Sequence, residues 1–171
     1  MSSLTDTVIK TKVTERKNVI NWHEYFMKIA DVASERSKDP NTQVGACVVD
    51  KNNRIISTGY NGFPNRCRND IFPWDRDNPD PLKNKYLYVV HAELNAILAA
   101  KQDLTDCRIY VNMLPCNECA KAIIQSGIRE VIFSSEKYIE TPSCQASLKM
   151  FKFSGVNLCI LKDGGRLQMY I

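Results

Sequence analysis

The second half of the chain alternates between strand-like and helix-like segments, and this alternation restricts the possible folds more than any other feature. Apolar residues recur at helical spacing in some stretches and cluster in short β-rich runs in others. We expect helices over about 91–101, 116–126 and 142–152, and strands over 107–111, 130–134 and 156–162. Such alternation predicts an α/β sheet whose parallel strands are joined by crossover helices. In sheets of this kind, ligands bind beyond the carboxyl ends of the strands, where helix N-termini point.

The first half supplies one more helix and a hairpin. Apolar residues recur at helical spacing after Asn21, and Glu24 stands three residues beyond it, as in a capping box. We therefore expect a helix from Asn21 to about Arg36. The β-rich runs GACVVD and RIISTGY, at 45–50 and 54–60, are separated by three polar residues and predict a hairpin.

Two stretches lack a sustained period. Residues 1–20 are polar and predict an N-terminal extension, which leaves 21–171 as one domain. Residues 61–86 are rich in proline and charge, and a segment of this length inside a compact domain is either functional or disordered. Its interspersed aromatic residues favour an ordered lid: Phe63, Phe72, Trp74 and Tyr86.

Charge and cysteine content narrow the function classes. The 23 basic and 19 acidic side chains leave a net charge of +4, which suits a small anionic ligand better than stable nucleic-acid binding. The beginning of the chain lacks the apolar core of a signal peptide, and no stretch is long enough to span a bilayer. We therefore expect a cytoplasmic protein without a membrane partner. Its seven cysteines are an odd number, which favours reduced thiols and metal ligation over a disulfide framework.

The strongest chemical signal is a pair of short motifs at predicted helix starts, HAE at 91–93 and PCNEC at 115–119. Cys116 and Cys119 are three residues apart in the first turn of a helix, so both can bind one ion. His91 adds an imidazole, and one histidine with two cysteines fills three of the four tetrahedral positions that zinc prefers. The open fourth position, left for water, indicates catalysis. The positive end of the helix dipole also favours thiolates.

Each part of this pattern also has an ordinary structural explanation. A C-x-x-C pair can be a redox couple, a buried histidine can simply be packed, and a glutamate at a helix start is commonly a cap. The conjunction is more informative, because H-x-E followed by P-C-x-x-C is the signature of zinc nucleobase deaminases. In that reading Glu93 flanks the metal site without ligating it and transfers protons.

Four blocks of the chain extend the signature. They occur in this order: RSKDPNTQVGACVV at 36–49, GYNGFPN at 59–65, HAELNAI at 91–97 and LPCNECAKAIIQSGI at 114–128. In these blocks the chain resembles the deoxycytidylate (dCMP) deaminase family. The resemblance implies a cytidine-deaminase-like α/β fold of three layers, α/β/α, with a mixed five-stranded sheet and helices on both faces. It implies one zinc-dependent deaminase domain that converts dCMP to dUMP and ammonia, supplying dUMP for thymidylate synthesis.

The resemblance also implies residue roles at the reaction centre. His91, Cys116 and Cys119 match the zinc ligands, and Glu93 matches the proton shuttle. Backbone groups near Ala92 and Leu114 are expected to orient the base.

Further substrate contacts follow from the same resemblance. Asn41 matches a residue that hydrogen-bonds the sugar hydroxyl, and Tyr138 matches a tyrosine near the substrate. Arg36 and Lys38 are expected to bind the 5′-phosphate. Asn41 also has an alternative role as an Asx-turn residue, and the two cations could equally be a solvated helix end.

The GYNG block is expected to form a regulatory site. In the family it resembles, this region binds dCTP as activator and dTTP as inhibitor at subunit interfaces of a homohexamer. The resemblance therefore implies effector contacts by Tyr60, Asn61 and Gly62, with magnesium accompanying bound dCTP.

Two other classes of function stay open at this point. A polynucleotide editor would share the zinc chemistry, but it predicts a basic groove with aromatic stacking, and the chain has no basic cluster. A non-catalytic, effector-binding relative would not need the complete set of His91, Glu93, Cys116 and Cys119.

Overall fold

The computed structural model describes residues 15–171, and its elements follow the predicted order. In chain order they are α1 Trp22–Ser34, β1 Gly45–Val49, β2 Ile55–Tyr60, α2 Ala92–Ala99, β3 Arg108–Val111, α3 Asn117–Gln125, β4 Glu130–Phe133, α4 Pro142–Ser154, β5 Asn157–Lys162 and β6 Arg166–Met169. The predicted extension over 1–20 lies mostly outside the described residues and stays a prediction. Among residues 15–171, no helix combines the length and hydropathy that a membrane span requires.

The sheet contains six strands in the order β2-β1-β3-β4-β5-β6. Strands β3, β4 and β5 are parallel, and the other pairs are antiparallel, so the predicted mixed sheet is confirmed. The prediction of five strands was one short. Strand β6 returns antiparallel along β5 after a turn at Asp163–Gly165. Three of its four residues are exposed, so it lacks the buried apolar run that marks the equally short β3 and β4.

Helices cover both faces of the sheet, as predicted for three layers. Helix α1 packs on one face through Phe26, Met27 and Ala30. Helices α2, α3 and α4 pack on the opposite face. Alternate strand residues point to opposite layers, so Tyr110 contacts the α1 side while its neighbour Ile109 faces the other three helices.

Short polar side chains fix where the helices begin. The Asn21 side chain accepts a hydrogen bond from the Glu24 backbone N–H at 2.9 Å, which confirms the predicted cap. The Glu24 carboxylate accepts from Lys28 and does not complete the box. Helix α4 starts at Pro142 behind a Thr141 cap. Such caps satisfy backbone donors that a helix cannot pair internally.

The segment between β2 and α2 is ordered by side-chain packing with little regular structure. Phe63 lies on Trp74 with ring centroids 4.2 Å apart, and Phe72 meets Tyr88 at 5.2 Å. Three of the aromatic residues expected to order this segment therefore pack together, and Tyr88 joins them in place of Tyr86. We call this segment, residues 61–88, the aromatic segment.

Gly59 brings β2 unusually close to α2. A Cβ atom there would lie 2.3 Å from the Ala92 carbonyl oxygen and 2.4 Å from the Ala96 nitrogen, which are backbone atoms. Neither Gly59 nor Gly62 has a positive φ, so backbone angle does not require glycine at either position. The glycine at 59 is required because strand and helix are in near contact.

Replacing Gly59 by alanine should therefore destabilise the fold. We expect Gly59→Ala to lower the free energy of unfolding by about 1–3 kcal/mol, because the new methyl group forces α2 away from the sheet. Urea unfolding followed by circular dichroism measures the difference. Gly62→Ala is the matched control, since a Cβ there meets nothing within 4 Å. Equal losses in both variants would contradict this explanation.

Candidate active site

Two helix starts meet at one edge of the sheet and carry the motif residues. His91 is the N-cap of α2, and Cys116 is the N-cap of α3, with Cys119 one turn further along. A short antiparallel bridge fixes the approach to α2, since Gly62 and Val90 exchange backbone hydrogen bonds of 3.0 and 2.8 Å. Neither the His91 nor the Cys116 side chain makes a capping hydrogen bond to its own helix, so both can interact with groups outside it.

Three donor atoms converge at this point. The Sγ atoms of Cys116 and Cys119 lie 3.3 and 3.4 Å from Nδ1 of His91. The three side chains offer donor atoms that all lie within 4.8 Å of one another, and they form the cluster found among residues 15–171. One nitrogen and two sulfurs suit zinc, which binds imidazole and thiolate in a tetrahedral arrangement. The residues present therefore fit a zinc ion.

The pKa values of the three side chains also indicate a metal site. The hydrogen bond with Cys116 raises the pKa of His91 to about 9. Hydrogen bonding from Cys119 lowers the pKa of Cys116 to about 4, whereas the same contact and burial hold the pKa of Cys119 far above its ordinary range. The cluster therefore retains protons that a divalent cation would displace, and binding at such sites releases protons.

Glu93 lies beside the cluster but outside it. Its side chain is in the first turn of α2 and only 4% exposed. It does not belong to the group of converging donor atoms. Burial raises the pKa of this carboxyl above its usual value. A carboxyl with a raised pKa can both accept and donate a proton near neutral pH.

The cluster opens into a cavity of about 360 Å³, which we call the main cavity. Of the residues predicted from the sequence, it is lined by His91, Ala92, Glu93, Cys116, Tyr138 and Asn61. Cys144, to which the sequence assigned no role, lines it as well. The volume falls in the range of small-molecule binding sites.

The other predicted contacts lie elsewhere. Arg36 and Lys38 line a side cavity of about 160 Å³ together with Tyr60, Asn61 and Gly62. The predicted phosphate ligands are thus beside the predicted effector residues and not in the main cavity. Asn61 lines both cavities.

Asn41 lines neither cavity. Its side chain is exposed, and its backbone N–H donates to Oδ1 of Asp39 at 2.8 Å. The Asx turn considered for Asn41 is therefore formed by Asp39.

Sequence reasoning missed a buried ion pair in the wall of the main cavity. Lys85 Nζ donates to Asp39 Oδ1 at 2.7 Å, and the side chains are only 5% and 2% exposed. Asp39 also accepts from the backbone of Thr42. The partners are 46 positions apart. Since Lys85 belongs to a segment without periodicity, no local pattern could have identified it.

The main cavity also contains two further residues of the aromatic segment that the sequence did not assign to a site, Arg76 and Tyr86. Nε of Arg76 donates to the Tyr86 hydroxyl at 3.0 Å. Their signal was the mixture of aromatic and basic residues in a long irregular stretch, which indicates a functional segment without specifying which residues act.

An α/β fold with a His-Cys-Cys cluster at two helix starts and an adjacent buried carboxyl defines a zinc-dependent hydrolytic deaminase. The family model for the cytidine and deoxycytidylate deaminase zinc-binding region matches residues 20–135. The human deoxycytidylate deaminase is 50% identical over 143 residues, covering 83% of this chain and 80% of the human protein. A probable deoxycytidylate deaminase of Drosophila melanogaster is 49% identical over 148 residues, covering 83% of this chain and 73% of that protein.

A solved structure agrees with these relatives. The dCMP deaminase from cyanophage S-TIM5, crystallised with dCMP and dUMP, has a TM-score of 0.63 and 27% sequence identity, covering 80% of this chain and 94% of that one. The chain belongs to the cytidine and deoxycytidylate deaminase family.

Zinc content tests the ligand assignment. We expect the purified chain to hold about one zinc ion, and Cys116→Ala or Cys119→Ala to lower the content at least about tenfold, because each change removes a donor. Inductively coupled plasma mass spectrometry measures the metal. Cys144→Ala is the control, since this thiol lines the same cavity outside the cluster. Unchanged zinc in the cluster variants would refute the assignment.

Proposed function

We propose that the chain catalyses zinc-dependent hydrolytic deamination of dCMP to dUMP and ammonia, and so supplies dUMP for thymidylate synthesis. One observation carries this proposal: the donor cluster of His91, Cys116 and Cys119 adjoins a cavity that His91, Cys116 and the buried Glu93 line. The human and cyanophage proteins bear the name of this activity, and the cyanophage structure holds dCMP and dUMP.

The roles of the residues follow from their positions. His91, Cys116 and Cys119 would hold zinc, which when bound supplies a Lewis acid that activates water. Glu93 would take one proton from the attacking water and deliver it to the ring nitrogen, and would then carry the second proton of that oxygen to the amine, so that ammonia leaves as the carbonyl forms. Burial raises the pKa of this carboxyl, which favours both steps, accepting a proton and donating one. The wall at Ala92 and Leu114 contacts the base.

The cavity favours a free nucleotide over a polynucleotide. A volume of about 360 Å³ accommodates a small molecule. Two aromatic side chains line the cavity, and their hydroxyls are engaged, Tyr86 with Arg76 and Tyr138 with Thr42. The other rings of the aromatic segment pack on one another. They are therefore not presented as a stacking platform for successive bases, which single-strand binding requires.

Glu93→Gln should keep the metal and lose the reaction. The amide retains the shape of the side chain but cannot transfer a proton, so we expect the rate of ammonia release from dCMP to fall about 10²- to 10⁴-fold with zinc content unchanged. Glu118→Gln is the control, because Glu118 lies in the first turn of α3 but is 67% exposed and paired with Lys121. Loss of zinc from Glu93→Gln would show that Glu93 acts as a ligand.

We further propose that the side cavity binds a nucleotide effector, with dCTP and its magnesium activating and dTTP inhibiting, in a cytoplasmic homohexamer. Arg36 and Lys38 supply positive charge there beside Tyr60 and Gly62. Asn61 supports communication with the main cavity. Its side-chain amide donates to the Thr42 carbonyl at 3.0 Å, and Thr42 lines the main cavity.

The double variant Arg36→Ala/Lys38→Ala distinguishes effector from substrate contacts. If these cations bind effector phosphates, the dCTP concentration for half-maximal activation should rise about tenfold or more while KM for dCMP without effector stays constant. Steady-state kinetics with and without dCTP measure both quantities. Lys28→Ala, an exposed cation on α1, is the control. A higher KM without effector would instead place Arg36 and Lys38 at the substrate phosphate.

A further inference from the structure

Three cationic or basic side chains line the main cavity, and two of them already interact with other groups of the protein. His91 belongs to the donor cluster with the two sulfurs. Lys85 is neutralised by Asp39 in a pair that is almost fully buried. The third, Arg76, lies within 4 Å of no carboxylate among residues 15–171. Its charge is therefore available to a ligand.

The Tyr86 hydroxyl orients Arg76. It accepts a hydrogen bond from Nε at 3.0 Å, which uses one of the five N–H donors of the guanidinium. The two terminal amino groups have no hydrogen-bond partner in the described part of the chain. A guanidinium held at Nε presents these two groups as a fork, and a fork matches the oxygens of a phosphate.

The hydroxyl groups in the same wall are occupied. Thr141 donates to the Tyr138 carbonyl at 2.8 Å, and Ser143 donates to Asn117 at 2.6 Å. The Tyr138 hydroxyl shares a hydrogen bond with Thr42 at 3.2 Å. These hydroxyls are weaker candidates than Arg76 for binding an anion, because each already forms a hydrogen bond within the protein and none carries a charge.

The position of Arg76 suits the charged end of a nucleotide. The cavity extends from the buried carboxyl of Glu93 to the exposed residues Arg76 and Tyr86. The base must reach the donor cluster, so the phosphate lies toward the exposed part. A phosphate there keeps much of its hydration, whereas a buried one would carry a large desolvation cost.

We propose that Arg76 binds the 5′-phosphate of the substrate and sets the preference for a nucleoside monophosphate over the unphosphorylated nucleoside. Tyr86 acts through it as a positioning residue. This inference rests on the proposed function. It replaces Arg36 and Lys38 as the phosphate ligands, since both line the side cavity.

The experiment compares dCMP with deoxycytidine in the full-length, zinc-loaded protein. Arg76→Gln should lower kcat/KM for dCMP about 10- to 100-fold, mainly through KM, because a charge-assisted contact to the phosphate is lost. With deoxycytidine, kcat/KM should change less than about twofold. Arg68→Gln is the matched control, an arginine of the same segment that pairs with Asp70 and lines neither cavity.

Product inhibition gives a second readout that does not depend on turnover of the nucleoside. The inhibition constant of dUMP should rise in Arg76→Gln by the same factor as KM, whereas that of deoxyuridine should stay constant. Arg76→Lys should recover part of the dUMP affinity. Tyr86→Phe should weaken dUMP about 3- to 10-fold and leave deoxyuridine unaffected.

The experiments distinguish failure of the Arg76 assignment from failure of the proposed function. If Arg76→Gln weakens dUMP and deoxyuridine equally, Arg76 supports the shape of the cavity and the inference is overturned. If it weakens neither while the wild-type protein converts dCMP, the inference also fails and the proposed function stands. A zinc-loaded wild-type protein that leaves dCMP unchanged would remove the proposed function itself.

Discussion

The convergence of one imidazole and two thiols within 4.8 Å is the constraint on which the site depends, because the three donors come from two separate helices. Helices α2 and α3 must begin side by side at one edge of the sheet. The sheet order places β1 next to β3, and the connections from β2 to α2 and from β3 to α3 deliver both helix starts to that edge. Gly59 contributes directly, since β2 and α2 approach each other too closely for any side chain.

Sequence reasoning succeeded where the signal is local. Helical spacing and short β-rich runs predicted the order of the elements. The side-chain periods of helices and strands, 3.6 and 2 residues, can be recognised within a short stretch of sequence. The metal cluster was predictable for the same reason. His91 with Glu93 and Cys116 with Cys119 stand at fixed spacings, and the physical chemistry of zinc selects those residue types.

The remaining features depend on contacts between distant parts of the chain. The pairing of Lys85 with Asp39 spans 46 positions and leaves no periodic trace. Arg36 and Lys38 immediately precede Asp39, which lines the main cavity, yet they line the side cavity. The chain changes direction within a few residues at such a turn, so residues that are close in sequence line different cavities. Strand β6 was missed because three of its four residues are exposed, whereas the equally short β3 and β4 are marked by runs of buried apolar residues.

The buried pair of Lys85 and Asp39 has a consequence for how the cavity forms. Leaving either charge alone in the interior costs roughly 3–5 kcal/mol, so half-docked arrangements of the aromatic segment are rarely populated. Arg76 and Tyr86 belong to the same segment as Lys85. The ion pair therefore anchors the part of the cavity wall that they form to the turn that carries Asp39, 46 positions earlier in the sequence.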